Sequence, residues 1–494
     1  MPLTKIVCTL GPATDDIDTL RAMVRAGMTV ARLNFSHGTT EEKRRAVRIV
    51  HQVAKEEGRY VAIMGDLQGP KIRIGKLPEE GVELVKDQEI VLTSEKVDNP
   101  LREIPFLHPD IIEDIEPGDR LLLDDGTMEL IATRSEAGRL TCRVLIGGTL
   151  TSHKGVNLPG VKLRIPALTE KDRQDALVAL ELKMDYLALS FVRRAADVVA
   201  LRDYLMAHVE APTARQVGED PHQIPGLVAK IEKPQALDDL EGITRASDAV
   251  MVARGDLGVE IAPERVPLAQ KRIIHICNRL GKPVITATQM LQSMIDLPRP
   301  TRAEASDVAN AILDGSDAVM LSGETSIGSY PVAAVQMMAR IAENVEQSGD
   351  FPYNQLLDLS VTPREPDAEA ITTAISRVTV SLAMATKAAA ILSSTESGRT
   401  GRIVARHRPA VPLLGVTPFE TTARRMQLMW GVIPLVVTPF RNTDEMIQKM
   451  VQGAYDREYV QKGDNIVITA GIPLEVHGVT NMVKVHTIRQ TDLT

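Results

Sequence analysis

Short runs of apolar, mostly β-branched residues recur along the N-terminal part of the chain, and each is followed by a stretch with helical character. Continuous apolar runs of this kind are typical of parallel strands that are buried on both faces. Eight such βα units are the number that a closed (β/α)8 barrel needs. The pattern therefore predicts an α/β protein built on a TIM barrel. The predicted barrel strands are Lys5–Cys8, Val30–Asn34, Val61–Asp66, Tyr186–Ser190, Leu227–Ile231, Ala249–Val252, Val284–Ala287 and Ala318–Leu321.

The third and fourth runs are separated by about 120 residues, far more than one crossover helix requires. Within this interval Glu89–Thr93, Asp119–Leu123, Met128–Ala132 and Leu140–Val144 alternate as short antiparallel strands do, with Pro-Gly and Asp-Gly turns. We therefore predict a small β-barrel domain inserted after the third strand of the large barrel.

A polar, proline-containing stretch at Asp350–Asp367 is typical of a linker, and a further βα alternation runs from Ala368 to the end. We predict a C-terminal α/β domain with a role in effector binding or assembly. The expected boundaries are 1–69 and 166–345 for the two parts of the barrel domain, 70–165 for the insert and 346–494 for the C-terminal domain.

Composition excludes several classes of function. The 494 residues are 44% hydrophobic and 25% charged, with a formal charge of −8, which argues against a general binder of nucleic acid or of anionic membranes. Cys8, Cys142 and Cys277 are widely spaced, so they fit neither a disulfide framework nor a zinc site. The N-terminus carries no signal-peptide pattern and the chain has no long apolar run. The predicted location is the cytoplasm.

Polar side chains gather where the predicted barrel strands end, which is where the active sites of such barrels lie. Lys230 and Glu232 are two residues apart on one strand, so their side chains share a face, and Asp256 ends the next strand. Two carboxylates completed by substrate oxygens and water are a usual arrangement for Mg²⁺. A simple ion pair with Asp256 as a helix cap is the structural alternative. The Gly-Asp-Leu-Gly context favours the metal site.

Three further features point to anion binding at the same end of the barrel. Arg32 and Arg73 offer planar guanidinium groups for phosphate oxygens. The helix that Gly255 and Asp256 open presents backbone N–H groups to a carboxylate or phosphate. Thr288 ends a strand with a hydroxyl group, and His37 is placed to contact a nucleotide. Taken singly, these residues also suit surface ion pairs, ordinary strand chemistry and loop capping.

Longer segments around these residues resemble the pyruvate kinase family over essentially the whole chain. They are TKIVCTLGPAT, AGMTVARLNFSHG, GPKIR, HKGVNLPG, SFVR, AKIEKPQAL, MVARGDLGVE, ATQMLQSMI and PTRAEASDVANAILDGSDAVMLSGETSIGSYPVAAV. A shared barrel fold alone does not produce these segments in this order.

The resemblance implies Mg²⁺- or Mn²⁺-dependent transfer of a phosphoryl group from phosphoenolpyruvate to ADP, giving pyruvate and ATP in the last step of glycolysis. It also implies a homotetramer and an inserted domain that closes over the barrel mouth. The implied catalytic residues are Lys230, Arg32 and Thr288, and the implied metal ligands are Glu232 and Asp256. The implied substrate contacts are Ala253, Arg254, Gly255 and Asp256, and the implied nucleotide contacts are Asn34, His37, Arg73 and Lys154.

One position departs from the family pattern. Many pyruvate kinases hold K⁺ with oxygens that correspond to Asn34, Ser36, Asp66 and the backbone of Leu67, and have Glu where this chain has Lys71. We hypothesise that the Lys71 ammonium takes the place of the cation, so that K⁺ is not required. The alternative is that Lys71 points to solvent and K⁺ still binds.

Another candidate site is the Ser- and Thr-rich turn that follows an apolar run in the C-terminal domain. Hydroxyl and N–H groups at a strand-to-helix turn form an anion nest, and in the family this turn resembles the loop that binds a sugar-phosphate effector. The later loop at residues 471–481 lacks a clear basic pair, which favours a monophosphate. An ordinary Ser/Gly loop is the alternative. The predicted effector residues are Ser393, Ser394, Thr395, Ser397, Gly398 and Thr400.

Two competing functions remain open at this level. A Mg²⁺-dependent pyruvate or oxaloacetate lyase also uses a Glu and an Asp on neighbouring strands, but it needs neither Lys230 nor the two extra domains. A sugar-phosphate sensor on an inactive kinase scaffold has no reason to keep Arg32, Lys230 and Thr288 together. ADP-dependent formation of pyruvate separates these functions.

Overall fold

The computed structural model describes residues 1–95, 97, 102–106, 108–136, 138–161, 164–209, 220–353, 368–473 and 479–493. Over this part of the chain, no helix combines the length and the apolar character that a bilayer crossing requires.

The first part of the chain forms the opening units of a barrel. Helix starts are specified locally: in the second helix Thr39 accepts the N–H of Glu42, whose carboxylate accepts the N–H of Thr39 in return. The first helix ends at Gly27, whose φ of +124° few other residues adopt. The elements are β1 (Lys5–Thr9), α1 (Ile17–Ala26), β2 (Val30–Asn34), α2 (Thr40–Glu56) and β3 (Ala62–Asp66).

The inserted segment forms its own small β structure with a separate apolar core around Phe106, Leu121 and Leu130. A six-stranded sheet in the order β11-β7-β8-β9-β5-β6 accompanies a two-stranded one, β10-β4. The elements are β4 (Val82–Leu84), β5 (Glu89–Thr93), β6 (Glu103–Pro105), α3 (Pro109–Ile112), β7 (Arg120–Leu123), β8 (Met128–Glu136), β9 (Arg139–Ile146), β10 (Gly148–Leu150) and β11 (Val156–Asn157).

The four strands predicted in this segment are present, and the structure adds β4, β6, β10 and β11. Each of these has only two or three residues, which is too short to show an alternating pattern in a sequence. Tertiary pairing alone reveals them.

The chain then returns to the barrel and closes it. Capping boxes at Thr169 and Thr301 start two of the helices. The elements are α4 (Glu170–Glu181), β12 (Tyr186–Leu189), α5 (Ala195–Met206), β13 (Gly226–Ile231), α6 (Pro234–Asp238), α7 (Leu240–Ala246), β14 (Ala249–Ala253), α8 (Arg254–Glu260), α9 (Val266–Leu280), β15 (Val284–Ala287), α10 (Arg302–Leu313), β16 (Ala318–Leu321), α11 (Gly323–Ser326) and α12 (Pro331–Glu346).

Eight parallel strands form a closed barrel in the order β1-β16-β15-β14-β13-β12-β3-β2. The predicted TIM barrel is confirmed, and the predicted strand ends differ from the observed ones by no more than a residue. Because all strands run in one direction, their carboxyl ends meet at a single mouth. The polar strand ends of the sequence are therefore brought to one place.

The last part of the chain is an α/β unit with a five-stranded sheet in the order β19-β18-β17-β20-β21, in which β21 is antiparallel. Residues 354–367 of the predicted linker lie outside the described residues. The elements are α13 (Ala368–Ala385), β17 (Ala390–Ser394), α14 (Arg399–Ala405), β18 (Leu413–Thr417), α15 (Glu420–Arg425), β19 (Val432–Val436), α16 (Thr443–Asp456), β20 (Asn465–Ala470) and β21 (Met482–Thr487).

A buried ion pair fastens this unit to the barrel at the end opposite the mouth. Arg408 donates to Asp317 at 2.8 Å and to the carbonyl of Gly315 at 2.6 Å. The other carboxylate oxygen of Asp317 accepts the N–H of Val284. The Arg408 guanidinium also lies 4.8 Å from the ring centre of Trp430, which stacks on Phe351. The junction thus combines charge pairing with aromatic packing.

We predict that Arg408→Met destabilises this junction strongly, because it leaves the Asp317 carboxylate buried without its cation. The expected loss in the free energy of unfolding is about 3–5 kcal/mol. The chain has a single tryptophan, Trp430, which lies at the junction, so urea unfolding followed by its fluorescence measures the effect. The exposed Arg441 provides the control Arg441→Met, for which we expect almost no change. Equal midpoints for the two variants would contradict the assignment.

Candidate active site

A buried lysine lies at the centre of the barrel mouth. The Lys230 ammonium forms ion pairs with Glu232 at 2.9 Å and with Asp66 at 3.2 Å, and it donates to the Ser190 hydroxyl at 2.7 Å. These partners come from three different strands or their ends, β3, β12 and β13. Burial alone would lower the pKa of Lys230, but the charges of Asp66 and Glu232 outweigh burial and raise it. The lysine therefore stays charged.

Arg32 shares the same carboxylate from the neighbouring strand. Its Nε donates to Asp66 at 2.7 Å and its Nη1 donates to the Thr9 hydroxyl at 2.8 Å. Burial acts to raise the pKa of Asp66, yet Lys230 and Arg32 together hold it below its ordinary value. One ionised carboxylate thus orients two cations toward the mouth.

Glu232 and Asp256 are the pair predicted to hold a divalent cation. Glu232 is buried and also accepts the N–H of Phe191 at 2.9 Å, whereas Asp256 lies exposed in the first turn of α8. Burial raises the pKa of Glu232, and the nearby charge of Asp256 acts in the same direction. The two carboxylates therefore repel each other, and a cation between them would relieve that repulsion.

The donor set also suits a particular kind of metal. Among the described residues, no group of three or more His, Cys, Asp or Glu side chains is arranged to hold a metal ion. Two carboxylates without such a cage need substrate oxygens and water to complete the shell, as Mg²⁺ accepts. The residues present therefore fit the divalent cation that the sequence implies.

The turn after β15 places Thr288 against the start of α8. Its hydroxyl accepts the N–H of Gly255 at 2.7 Å and donates to the carbonyl of Ala287 at 2.6 Å. Thr288 has a φ of +68°, a left-handed conformation that β-branched residues rarely adopt. Strain of this kind persists where the surroundings hold it and is concentrated at functional sites.

Arg254 supplies part of that support. Its guanidinium donates to Asp307 at 2.7 Å and to the carbonyl of Thr288 at 2.8 Å. The side chain is thus directed into the protein, toward α10 and the Thr288 turn. Of the predicted substrate contacts, Arg254 has its guanidinium and Gly255 has its backbone N–H engaged within the protein. Ala253 is the last residue of β14.

A cleft of about 280 Å³ lies between the barrel mouth and the inserted domain. It brings the predicted residues Lys71 and Arg73 together with Lys154 and Asp256, which lie far from them in the sequence. Lys154 donates to Asp124 at 2.8 Å, and Arg73 donates to the carbonyl of His153 at 3.0 Å. Of the remaining predicted nucleotide contacts, Asn34 ends β2 and His37 follows it. The pKa of His37 is lowered by burial and by the charges of Lys71, Arg73 and Lys43.

Sequence reasoning missed several groups of this cleft. Lys233 and Glu260 form an ion pair of 2.7 Å in its wall, and Asn157 donates to the same glutamate. Asp124 and Asp125 both have positive φ in the turn before Gly126. The Asp-Asp-Gly turn was visible in the sequence, but only the folded insert reveals that it faces the barrel.

Three of the four residues predicted to hold K⁺, Asn34, Asp66 and Leu67, have oxygens engaged within the protein. The Asn34 side-chain oxygen accepts the N–H of Ser36 at 2.9 Å, and the Leu67 carbonyl accepts the Ser190 hydroxyl at 2.8 Å. Asp66 is paired with Arg32 and Lys230, as described above. Lys71 is an exposed residue at the mouth, and its pKa is lowered first by partial desolvation and then by the charge of Arg73. Its other charged neighbours are Asp256, Lys230 and Glu232.

The predicted effector residues extend from the end of β17, through the turn that follows it, into the first turn of α14. Gly398, with a φ of +83°, immediately precedes the helix, and Ser397 is exposed. The Thr400 hydroxyl lies 3.0 Å from that of Thr480 in the later loop. The other three predicted residues, Ser393, Ser394 and Thr395, are buried.

Comparison with known proteins finds relatives over nearly the whole chain. Two family models match, described as "Pyruvate kinase, barrel domain" over residues 1–335 and "Pyruvate kinase, alpha/beta domain" over residues 373–486. The chain is 45% identical to a pyruvate kinase of Geobacillus stearothermophilus, covering 98% of this chain and 80% of that protein. It is 43% identical to one of Sporosarcina psychrophila, with 99% and 81% covered. The crystal structure of a pyruvate kinase from Cryptosporidium parvum superimposes with a TM-score of 0.89 at 35% identity, covering 98% and 96% of the chains.

We predict that Asp66→Asn lowers the stability of the protein, because Lys230 and Arg32 lose their shared buried counter-charge. The expected loss at neutral pH is about 3–5 kcal/mol. Since the folded-state pKa of Asp66 is lowered, its stabilisation is complete above the unfolded pKa of about 4. It is lost as the pH falls through the lower folded value.

Chemical unfolding of the wild-type protein and the variant between pH 3 and pH 8 measures this difference. We expect a constant gap from pH 5 upward that shrinks in acid. A gap independent of pH throughout would contradict the charge-based explanation.

Proposed function

The chain belongs to the pyruvate kinase family, and from this premise we propose that its barrel mouth transfers the phosphoryl group of phosphoenolpyruvate to ADP. The observation that carries the proposal is the buried Lys230 held between Asp66 and Glu232, with Arg32, Asp256 and Thr288 around it. Phosphoryl transfer needs positioning and charge stabilisation more than covalent work by the protein. A cluster of fixed cations in a partly buried site is suited to that task.

Lys230 and Arg32 are assigned to the charge of the phosphoryl group. Both cations are already oriented by Asp66, so little reorganisation is required when the negative charge shifts between the two substrates. The raised pKa of Lys230 means that this residue acts as a fixed positive charge and not as an acid. Removing its charge therefore removes stabilisation of the transition state.

Glu232 and Asp256 are assigned as the protein ligands of a divalent cation, Mg²⁺ or Mn²⁺. When bound, the cation supplies positive charge to the oxygens of the substrate. Glu232 is held in place by Lys230 and the N–H of Phe191, while Asp256 lies on the start of a helix. The carboxylate of phosphoenolpyruvate is assigned to the backbone N–H groups at residues 253–256, of which that of Gly255 would have to release the Thr288 hydroxyl.

Thr288 is assigned to the protonation of the enolate that remains after transfer. A hydroxyl group is too weak an acid to give up its proton outright, so we assign it the positioning of a water that delivers the proton to the enolate carbon. The support of the Thr288 carbonyl by Arg254 keeps this hydroxyl in the required place. Substitution of either residue should affect the proton step more than substrate binding.

The nucleotide is assigned to the cleft beneath the inserted domain. Arg73 and Lys154 present cations from the insert side, and Asn34 and His37 lie at the edge of the barrel. Closure of the insert over the mouth would exclude water and bring these groups onto the phosphates. We also propose a homotetramer and a cytoplasmic location, the latter supported by three buried free cysteines.

We further propose that turnover does not require K⁺. The proposal is supported by the charge balance at the mouth: the Asp66 carboxylate is already matched by Arg32 and Lys230, and Lys71 adds a further ammonium near Asp256 and Glu232. A monovalent cation placed there would be repelled by these charges.

The decisive assay is pyruvate formation from phosphoenolpyruvate and ADP with Mg²⁺, in K⁺-free buffer and after K⁺ is added. We expect full turnover in both buffers for the wild-type protein. For Lys71→Gln we expect low turnover without K⁺ and recovery with it, because the built-in charge has been removed.

The pH dependence provides an internal control for that assay. The pKa of Lys71 is lowered, so its ammonium loses its proton at a lower pH than that of an ordinary lysine. In K⁺-free buffer, activity should therefore decline as the pH rises and before an ordinary lysine would titrate. Addition of K⁺ should restore this activity. Wild-type turnover only with K⁺ would contradict the role of Lys71. Absence of turnover in both buffers would favour the lyase or the sensor over the kinase.

A sugar monophosphate is proposed as an activator that binds the turn between β17 and α14. We expect the double change Thr395→Ala and Ser397→Ala to abolish sugar-phosphate activation while basal turnover persists, since hydroxyl donors to the phosphate are lost. Thr443→Ala, at the start of α16 in the same domain, serves as the control. Activation that survives the double change would remove the assignment.

A further inference from the structure

The inserted domain contacts one short helix of the barrel mouth directly. Asn157, in the last strand of the insert, donates to the Glu260 carboxylate at 3.1 Å, and Glu260 is the last residue of α8. A second contact lies at the same helix. A methyl group at Gly126, in the turn between β7 and β8, would lie 4.0 Å from the Val259 side chain. The insert therefore lies against α8 through a polar and an apolar contact.

The helix that receives these contacts also carries groups assigned to the reaction. Asp256 lies in its first turn, and Glu260 ends it. Seven residues make about two turns of helix, so α8 is short enough to move as one rigid piece. The position of the insert is thereby linked to Asp256 and to the backbone N–H groups at the start of the helix.

Glu260 is a buried carboxylate that a lysine of the neighbouring strand end matches in charge. Its side chain is 2% exposed and lies 2.7 Å from the Lys233 ammonium. A buried charge is costly unless it is both paired and hydrogen-bonded. Lys233 provides the opposite charge, and the Asn157 amide provides a hydrogen bond from the other domain. Glu260 is therefore held most firmly when the insert lies against the barrel.

The same lysine contacts a strained residue next to the second predicted metal ligand. The Lys233 ammonium lies 4.9 Å from the ring centre of Phe191, within the range of a cation–π interaction. Phe191 has a φ of +57°, which bulky residues rarely adopt, and its N–H donates to Glu232 at 2.9 Å. Strain of this kind persists only where the surroundings hold it. Lys233 therefore helps to hold the N–H group that orients Glu232.

Phe191 also contacts the segment where the insert begins. A side chain at Gly69, the expected end of the first part of the barrel, would lie 2.6 Å from the Phe191 ring. Gly69 also has a φ of +69°, so the backbone and the close approach both require glycine. The ring thus lies between this segment and the lysine that pairs with Glu260.

We propose that Glu260 is a positioning residue for the transfer reaction. Its contact with Asn157 fixes the insert against α8, and its pairing with Lys233 connects that contact to Glu232. The inference rests on the function proposed above. Neither Glu260 nor Asn157 is assigned to a substrate, so both act through closure of the cleft. Binding of ADP beneath the insert should therefore depend on the contact more than binding of phosphoenolpyruvate in the barrel.

Asn157→Asp tests the contact with little change of shape, because it replaces the donating amide with a carboxylate that Glu260 repels. We expect the KM for ADP to rise by about tenfold and the KM for phosphoenolpyruvate to stay close to the wild-type value. Gln88→Glu is the matched control. It makes the same change of group elsewhere in the insert, where the Gln88 oxygen accepts the N–H of Val85, and it should leave both KM values unchanged.

A double variant provides the rescue. When Asn157→Asp is combined with Glu260→Gln, the amide introduced at position 260 can donate to the carboxylate introduced at position 157. The cross-domain hydrogen bond is then rebuilt in the opposite direction. We expect the double variant to have a KM for ADP about threefold or more below that of Asn157→Asp alone, as coupled residues require.

Amide hydrogen exchange of the protein without substrates or metal provides a readout that does not depend on turnover. We expect Asn157→Asp to exchange faster than the wild type over residues 122–127 and 254–261, which lie on the two sides of the contact. Exchange in the C-terminal domain and the melting temperature should not change. Gln88→Glu should exchange as the wild type does.

Three results would overturn the proposal. The first is that Asn157→Asp and Gln88→Glu have the same KM for ADP and the same exchange. The second is that the double variant is no better than Asn157→Asp. The third is an equal rise in both KM values with a lower melting temperature, which would show a purely structural role. A wild-type protein without turnover would contradict the proposed function instead, and the exchange data would still decide whether the contact holds the insert.

Discussion

The structure of the barrel mouth depends on one buried set of charges, in which Lys230 lies between Asp66 and Glu232 while Arg32 shares Asp66. Desolvation would neutralise any of these groups alone, because a buried isolated charge costs several kcal/mol. Together the two cations and two carboxylates keep one another ionised. Each of these four charged side chains therefore constrains the positions of the others. Their contacts also link the strands β2, β3 and β13, on which or next to which they lie.

The remaining parts of the site are arranged around that set. Glu232 is held by Lys230 and by the N–H of Phe191, and so faces Asp256 at the start of α8. Thr288 is held in a strained turn by Gly255 and Arg254. The inserted domain adds Arg73 and Lys154 from above. A catalytic site of fixed charges thus results from a rigid barrel and one separate covering domain, a division of labour that suits phosphoryl transfer.

The opposite end of the barrel has a different electrostatic character. The mouth balances its cations with carboxylates, whereas the described lining of a cavity at the closed end, between the barrel and the C-terminal domain, is rich in arginine with one aspartate. The C-terminal domain is fastened there by Arg408 and Asp317 and contributes a smaller part of the cavity wall than the barrel does.

Much of this architecture was determined by the sequence itself. Eight apolar runs predicted the barrel because strands buried on both faces need continuous apolar residues. The spacing of Lys230 and Glu232 placed them on one face because side chains alternate along a strand. Tertiary structure decided the rest. The two- and three-residue strands of the insert have no pattern long enough to detect. The guanidinium of Arg254 is directed to Asp307 and the Thr288 turn, and the cavity between Arg202 and Arg399 exists only where two domains meet. Such contacts join residues far apart in the chain, and local propensity carries no information about them.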